Sequence, residues 1–338
     1  MNPAIRGADA VRLVLWRQLG RTRLGRACAR DRQTRGVTLA TVHIAVALVL
    51  TLVAPLWLLL VGPLILGVPH VASGLRFLGA RRYGGPGLGW MLRLAVPLLA
   101  LTGLRILATV GGPDLPTAEL ALGLTALAAA TFWSGGTPAR CGLGMVLIVT
   151  LGALLWSHAR LTAVVIGHIH NFMAVILWVA LAASASRRAR AGVAAAFVVG
   201  LALLLSGVLE PISGLTAPIA GFDMHQMVQT LAPGLDPIFG FRLVLAFAFA
   251  QAVHYSMWLR VTPISVGDGA VAPSFARATR NLFRDLGRPV VIALVALILG
   301  LTLFALFDPA GTRRLYLSAV LFHGWFELAI AARLLARL

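Results

Sequence analysis

Long apolar stretches follow one another along most of the 338-residue sequence, separated by short segments rich in arginine, glycine and proline. Ten stretches are long enough to cross a bilayer as helices, since about 17–25 apolar residues match the hydrocarbon thickness. They cover residues 37–54, 56–79, 90–110, 116–134, 141–158, 161–185, 193–212, 237–260, 289–307 and 314–336. The pattern therefore predicts an all-α, polytopic transmembrane helical bundle of about ten spans, with residues 37–338 as the transmembrane domain.

Composition supports this prediction and excludes a soluble domain. Hydrophobic residues make up 59% of the chain, charged residues 12%, and the mean hydropathy is +0.90. A soluble protein of this size would lack enough polar side chains to cover its surface. Residues 1–36 differ from the rest, because they are arginine-rich and lack a long apolar core. We expect them to form a basic segment in the cytoplasm or on the inner leaflet.

The charge pattern predicts an orientation in the membrane. All 29 basic residues are arginine, and the net charge is +18. With ten spans, most arginines fall on the side of the N-terminus, which is the positive-inside pattern and places both termini in the cytoplasm. This topology explains the basic charge without nucleic acid as a partner. The predicted setting is a bacterial inner membrane, with membrane lipids as partners and the oligomeric state left open.

Six of the eight histidines lie inside predicted spans, where ionisable side chains are costly and mark functional sites by default. They are His43, His70, His168, His170, His254 and His323. A helical rise of about 1.5 Å per residue predicts one layer with His70, His323 and one of the pair His168 and His170. The same count puts His254 and His43 deeper, although boundary errors allow one merged site. The candidate metal ligands are His70, His168, His170, His254 and His323.

The tetrad His168-Ile169-His170-Asn171 contributes one of these ligands. Residues two apart on a helix point about 200° from each other. One histidine is therefore expected to face the site while the other bonds elsewhere, unless a π-bulge turns the backbone. Asn171 shares a helix face with His168, and it is the candidate cofactor-binding residue that would orient a ligand.

The segment His323-Gly324-Trp325-Phe326-Glu327 places a carboxylate inside the last span, four residues after a histidine. Residues at this spacing share a helix face. Such a carboxylate needs a partner, a proton or a metal. Glu327 is thus the candidate catalytic residue: it would ligate iron, hold His323 in one tautomer or relay protons. The alternative is a structural ion pair with Arg76 or Arg93.

Two other segments allow both a functional and a structural interpretation. His254 follows Gln251 and precedes Tyr255, so it is either a ligand or a residue of the inner membrane interface. The loop segment Asp223-Met224-His225-Gln226-Met227 combines thioether and imidazole groups, which suit Cu(I). That loop is therefore either a copper entry point or a cap on the bundle.

The segment Gly67-Val68-Pro69-His70, together with histidines distributed over apolar helices, resembles the Brp/Blh family of bacterial membrane β-carotene dioxygenases. The resemblance covers under a tenth of the chain at motif level. It implies an oxygen-dependent enzyme that cleaves a carotenoid. The His-x-x-x-His pair that the family implies for a later span is absent from this sequence.

Three functions are compatible with these residues. The first is a non-haem Fe(II) enzyme that uses O2 to oxidise a lipophilic substrate, such as a carotenoid, another isoprenoid or a fatty chain, entering from the bilayer. The second is a haem-binding protein, for which two facing histidines such as His70 and His323, or His168 and His323, suffice. The third is a proton or metal-ion transporter that uses intramembrane histidines and Glu327, with copper as an alternative metal.

Overall fold

The computed structural model describes residues 3–79, 85–182, 185–212, 217–219, 221–266 and 274–337. In these ranges the chain is helical, apart from its connections and an isolated bridge between Ile219 and Phe222. The first helices are α1 (Pro3–Leu19), α2 (Arg23–Arg30), α3 (Arg32–Val53), α4 (Pro55–Val61), α5 (Gly67–Gly74), α6 (Leu88–Thr109), α7 (Pro116–Phe132), α8 (Pro138–Leu155) and α9 (Ala159–Leu181). The others are α10 (Arg187–Leu205), α11 (Met224–Leu231), α12 (Pro237–Ser256), α13 (Thr262–Val266), α14 (Phe275–Leu286), α15 (Arg288–Ala305), α16 (Pro309–Ala319) and α17 (Leu321–Arg337). The predicted all-α class is confirmed.

Eight stretches of the described chain are long and apolar enough to cross a membrane. They are Arg32–Val53, Pro55–Gly79, Leu88–Thr109, Pro138–Leu181, Arg187–Leu205, Pro237–Ser265, Arg288–Ala305 and Pro309–Arg337. The chain is therefore a membrane protein. Two features separate this number from the predicted ten. The apolar helix α7 has only 17 residues, and α8 and α9 count as one stretch of 44 residues. A 3₁₀ turn at Trp156–His158 divides that stretch, and both halves pack against α7.

Helix starts follow from local sequence. Aspartate side chains accept hydrogen bonds from the first free backbone N–H groups of four helices, and proline is the first or second residue of several helices, six of which are named here. The capping residues are Asp31, Asp223, Asp236 and Asp308, and the proline-initiated helices are α4, α7, α8, α12, α15 and α16. These signals place the joints between apolar stretches close to where the sequence predicts them.

The basic N-terminal segment contains two helices and continues into the first long one. Because α3 begins at Arg32, the first membrane-crossing helix extends beyond the predicted boundary at residue 37. The side chain of Asp9 in α1 accepts hydrogen bonds from the backbone N–H groups of Phe275 and Ala276, at 2.7 and 3.2 Å. This contact joins α1 to the start of α14.

The helix α12 lies at the centre of the bundle. It packs against α3, α9, α10 and α11. Of the eight membrane-crossing stretches, Pro237–Ser265, which contains α12, has the largest buried fraction, at 61%. The stretch of α15 has the smallest buried share, at 6%, so α15 lies on the outside of the bundle. A side chain on the inner face of α12 is consequently far from solvent, which matters for the site below.

One end of the bundle is marked by ion pairs between neighbouring helices. Asp114, just before α7, lies 3.7 Å from Arg105 near the end of α6 and 3.1 Å from Arg160 at the start of α9. Glu119 in the first turn of α7 also pairs with Arg105. We refer to this region, residues 105–119 together with 156–160, as the Asp114 end.

Candidate metal centre

Four helices each direct one histidine to a common point. His70 comes from α5, His170 from α9, His254 from α12 and His323 from α17, and one nitrogen of each lies within 4.8 Å of the others. The rings of His70, His254 and His323 are buried, and that of His170 is partly exposed. We call these four residues the histidine cluster. Four converging imidazole nitrogens could hold a metal ion.

The four rings pack in a closed ring. The centroids of His70 and His323 are 4.9 Å apart, and those of His70 and His254 are 5.2 Å apart. On the other side, the ring of His170 lies 4.4 Å from that of His254 and 5.4 Å from that of His323. The rings cross at steep angles of 57–84°. Their nitrogens therefore point into a shared space, whereas parallel stacked rings would direct them apart.

Glu327 lies against three of the four rings and is fully buried. Its carboxylate oxygens are 3.1 Å from His323 Nε2, 3.2 Å from His170 Nδ1 and 3.7 Å from His254 Nε2. Glu327 therefore lies next to His323, which precedes it by one helical turn, as the sequence predicts.

The alternative partners predicted for Glu327 are engaged elsewhere. The Arg76 guanidinium donates to Asp285 at 2.6 Å, and the Arg93 guanidinium lies over the ring of Trp133 at 5.2 Å. Within the described chain, the ion-pair contacts of Glu327 are with histidines. This carboxylate is therefore a constituent of the centre.

Polar atoms without hydrogen bonds concentrate at this point. Among the described residues, no hydrogen-bond partner meets either ring nitrogen of His70, His254 or His323. The same holds for His170 Nδ1 and for both oxygens of Glu327, whose contacts are at ion-pair distance but lack hydrogen-bond geometry. Buried polar atoms are normally paired, because leaving them unpaired costs free energy. Imidazole and carboxylate groups with free lone pairs suit a first-row transition metal, so the residues present fit a metal ion.

Irregular helix geometry surrounds two of the ligands. His70 lies in a short α-helical segment between two π-helical ones, Gly62–Leu66 and Leu75–Gly79. His254 lies three residues before a third, Met257–Val261. A π-turn holds an extra residue and so changes the direction of the side chains near it; such turns are frequent at functional sites. The π-bulge that could have turned both His168 and His170 to one site is absent, because α9 is a regular α-helix there.

Glycines let the rings approach neighbouring helices closely. A Cβ atom on Gly74 would lie 2.6 Å from His323 Cε1, and one on Gly324 would lie 3.2 Å from His170 Cγ. Gly67 faces Tyr316 in the same way. Larger side chains at these positions would have to displace the rings, so the small residues are part of the construction of the site.

His168 does not join the cluster. Its Nε2 lies 2.9 Å from the carbonyl oxygen of Leu231, and its ring contacts Phe247 at a centroid distance of 5.0 Å. The expectation that one member of the tetrad faces the site while the other bonds elsewhere agrees with this geometry, with His170 as the member that faces it. Asn171 donates to the carbonyl oxygen of Gly167 at 3.3 Å, within its own helix, and lines the cavity described below.

The three histidines outside predicted ligand positions have local partners. The nearest are the carbonyl of Leu39 for His43, the hydroxyl of Ser157 for His158 and the amide of Gln229 for His225, at 2.7–2.9 Å. In the 223–227 segment, Asp223 caps α11 and Met227 packs into a small apolar core, while His225 is exposed. The described side chains of this loop therefore do not converge on a copper site.

A cavity of about 400 Å³ extends from the cluster towards the Asp114 end, and we call it the histidine chamber. His70, His170 and His323 form its inner wall. Much of the remaining wall is apolar, from Val164, Ile166, Phe247, Leu317, Val320 and Leu321. Its polar lining includes Asn171, Gln251, Tyr255 and Tyr316 near the cluster, and Arg105, Asp114 and Arg160 at the far end. This size and lining are typical of a pocket for a small apolar molecule.

Sequence reasoning missed Tyr316, which precedes His323 by seven residues, two turns of the predicted span 314–336, although the two lie on successive helices, α16 and α17. Its hydroxyl is buried without a hydrogen-bond partner among the described residues, and its ring contacts Gly67 beside the cluster. The seven-residue spacing is the signal that could have identified it.

Comparison of the chain with protein-family models, with curated proteins and with solved structures gives no match. The functional argument therefore depends on the geometry of the site.

Proposed function

We propose that this protein is a membrane-embedded oxidative enzyme that holds non-haem iron at the histidine cluster and uses O2 to oxidise a lipophilic substrate. The observation that carries the proposal is the buried group of four imidazoles and one carboxylate, beside a largely apolar chamber. Histidine and carboxylate ligands suit Fe(II) in oxygen-dependent enzymes. When bound, iron supplies the electron transfer to oxygen that amino-acid side chains lack.

The packing of the rings favours a single metal ion over haem. Haem ligation needs two axial histidines on opposite faces of a macrocycle. Here each imidazole contacts its neighbours at centroid distances of 4.4–5.4 Å around the cluster. A porphyrin between any two of them would have to displace the others and the adjacent backbone of Gly74 and Gly324.

The residues of the centre have distinct roles in this proposal. The four histidines hold the metal as neutral ligands, while Glu327 supplies a negative charge next to them. A divalent ion surrounded by neutral ligands alone would leave two positive charges in a low-dielectric interior, which is costly. Glu327 offsets one of them and can also accept a hydrogen bond from the ring N–H of a neighbouring imidazole.

The chamber supports a lipophilic substrate. Its apolar wall and its volume of about 400 Å³ suit an isoprenoid, a carotenoid segment or a fatty chain. Burial of such a chain excludes water from the reacting group and limits side reactions. Tyr255, whose ring lies 4.4 Å from that of His70, and Gln251 would close the inner end of the chamber around the substrate.

The setting that we propose is a bacterial inner membrane, crossed about ten times, with both termini in the cytoplasm. In this topology the Asp114 end faces away from the cytoplasm. Cysteine labelling or reporter fusions at residues 217–219 test it, since cytoplasmic reactivity of that loop would contradict the orientation.

One experiment tests the proposed function. The detergent-purified protein is examined by elemental analysis and visible spectroscopy, with His323→Ala and Glu327→Gln as cluster variants and His158→Ala as the control. We expect about one iron per chain without a Soret band, loss of iron in His323→Ala, and a roughly 10–100-fold weaker affinity in Glu327→Gln. His158 is exposed and contacts Ser157, so its replacement should leave the iron content unchanged. A Soret band, or iron retained without change in both cluster variants, would contradict the proposal.

A further inference from the structure

A second cavity, of about 950 Å³, lies beside the histidine chamber, between α6, α15 and α16. We call it the arginine vestibule, because Arg105, Arg313 and Arg314 all line it. The vestibule and the chamber have five lining residues in common: Arg105, Asp114, Thr230, Leu317 and Ser318. The two cavities therefore adjoin at the Asp114 end.

Arg313 is the unusual residue of the vestibule. Only 5% of it is exposed, its Nε donates to the carbonyl oxygen of Leu59 at 2.6 Å, and its guanidinium lies over the ring of Phe222 at 5.2 Å. Among the described residues, no carboxylate lies within ion-pair distance of it. An uncompensated charge at such a position is costly unless it meets an anion. The side chain lines the cavity, where an anion can reach it.

The carboxylates in the vestibule wall have other partners. Asp308 accepts the backbone N–H of Gly311 at 2.8 Å and so caps α16. Asp114 lies between Arg105 and Arg160. These acidic groups do not neutralise Arg313, and Arg314, which is exposed, adds a further positive charge.

The vestibule also has an apolar rim. Phe304 in the last turn of α15 and Phe307 just after that helix line it, and they are 71% and 87% exposed. Hydroxyl groups of Thr109 and Ser318 form a hydrogen bond of 2.7 Å where the vestibule meets the chamber. A cavity with a cationic wall, a rim of exposed aromatic residues and an apolar extension suits an amphiphile with an anionic head.

We propose that the arginine vestibule binds the anionic head group, a carboxylate or a phosphate, of a single-chain amphiphile whose hydrocarbon chain extends into the histidine chamber. The guanidinium of Arg313 pairs with the head group, and Arg314 attracts it from the surface. This inference rests on the proposed function as far as it makes the amphiphile the substrate. Binding itself needs only the two cavities.

The test measures equilibrium binding of five probes to the purified full-length protein in neutral detergent. Palmitate and hexadecyl phosphate combine a chain with a negative charge, hexadecanol has the chain alone, and acetate and inorganic phosphate have the charge alone. We expect the two charged amphiphiles to bind at least tenfold more tightly than hexadecanol. Preference for palmitate would identify a long-chain acid, and preference for hexadecyl phosphate a long-chain phosphate monoester.

Arginine variants locate the head group. Arg313→Gln should weaken palmitate binding by roughly 10–100-fold, which is the loss of a charge-assisted hydrogen bond converted to affinity. It should leave hexadecanol binding unchanged. Arg314→Gln, at an exposed position that folding tolerates, should give a smaller loss in the same direction. Arg188→Gln, an exposed arginine at the start of α10, is the matched control and should bind palmitate like the parent.

A palmitate with a diazirine on its terminal carbon locates the chain. We expect photolabelled peptides from α9 or α12, which line the histidine chamber. Labelling confined to α15 would overturn the placement of the chain. Equal affinity for palmitate and hexadecanol, or tight binding of inorganic phosphate alone, would contradict the proposal that the ligand is an anionic amphiphile.

Metal analysis of the same samples separates the two proposals. Arg313→Gln should retain the iron of the parent, because the hydrogen bond and the ring contact of Arg313 are with Leu59 and Phe222, outside the histidine cluster. If the parent contains no iron but binds palmitate through Arg313, the proposed enzyme is wrong and the head-group site is supported. If iron is present but none of the charged probes binds more tightly than hexadecanol, the head-group site is wrong and the metal centre is supported.

Discussion

The two histidines of α9 provide a matched pair of variants that tests the metal centre. His170 and His168 lie two residues apart on the same helix, and both are partly buried. Only His170 belongs to the cluster, whereas His168 Nε2 contacts the carbonyl oxygen of Leu231 at 2.9 Å. Replacement of each by alanine removes the same atoms at nearly the same depth. The two variants should differ because one loses a metal ligand and the other a hydrogen bond.

The two variants should lose different amounts of stability, and only the loss in His170→Ala should depend on bound metal. At a free metal concentration of about 100 times Kd, bound metal stabilises the folded state by about 2.7 kcal/mol. Loss of an outer partner of a metal site weakens affinity by 10–100-fold, and loss of a ligand should cost at least the upper value. For His170→Ala the metal contribution then falls to about 0.4 kcal/mol at the same concentration. His168→Ala should cost about 0.5–1.5 kcal/mol for its hydrogen bond, with or without metal.

The assay is thermal unfolding in detergent at one fixed scan rate, with and without a chelator. A fixed rate is needed because unfolding of membrane proteins is often irreversible, so the apparent Tm depends on it. The chelator should lower the Tm of the parent and of His168→Ala by the same amount, and it should change that of His170→Ala little. An equal chelator effect on His170→Ala and the parent would refute the assignment of His170 as a ligand, and with it the four-histidine centre.

Two further predictions follow from contacts in the structure. Gly74→Ala places a Cβ 2.6 Å from His323 Cε1 and should lower the iron content. The control Gly103→Ala, with no atom within 4 Å of the new Cβ, should leave the iron content unchanged. Equal iron content in both variants would contradict the proposed packing. The hydrogen bond from Arg242 lowers the pKa of Glu210 below its usual 4.5. This interaction therefore stabilises the folded state above pH 4.5, and the stabilisation disappears as the pH falls through the lowered pKa. Tm measured between pH 7 and pH 3 should therefore fall less steeply in Glu210→Gln than in the parent.

Much of the fold is predictable because the bilayer constrains sequence strongly. A membrane-crossing helix must be apolar over a fixed length, and its joints carry proline, glycine and capping aspartates. These signals locate α6, α12 and α15 close to their observed positions, whereas α3 and α10 begin five and six residues before their predicted spans. The proximity of Glu327 to His323 follows from helix geometry alone, because residues four apart share a face.

Which histidines belong to the cluster cannot be predicted by counting residues from the ends of the spans. Counting residues from span ends puts His254 in a deeper layer with His43. In the structure His254 belongs to the cluster, whereas His43 Nδ1 lies 2.7 Å from the carbonyl oxygen of Leu39. A count assumes regular rise and equal depth of helix ends, but three π-helical segments interrupt the helices of His70 and His254.

The choice between His168 and His170 also requires tertiary structure. Their angular separation of about 200° predicts that only one faces the site, but the rotation of α9 decides which. That rotation is fixed by neighbours distant in sequence: Gly324 admits the ring of His170, and the end of α11 supplies the carbonyl of Leu231 to His168. Sequence alone therefore leaves two candidates for one ligand position.

The two proposed sites have a common physical basis, since each contains a buried charge that the described chain does not fully neutralise. Glu327 lies among imidazoles without hydrogen-bond geometry, and Arg313 lies on a backbone carbonyl and a phenylalanine ring. Opposite charges require opposite ligands, a cation at the histidine cluster and an anion in the vestibule. Because the vestibule and the chamber adjoin, one amphiphile bound at its head would present a fixed point of its chain to the metal. The separation of the two charges would then determine which carbon is oxidised.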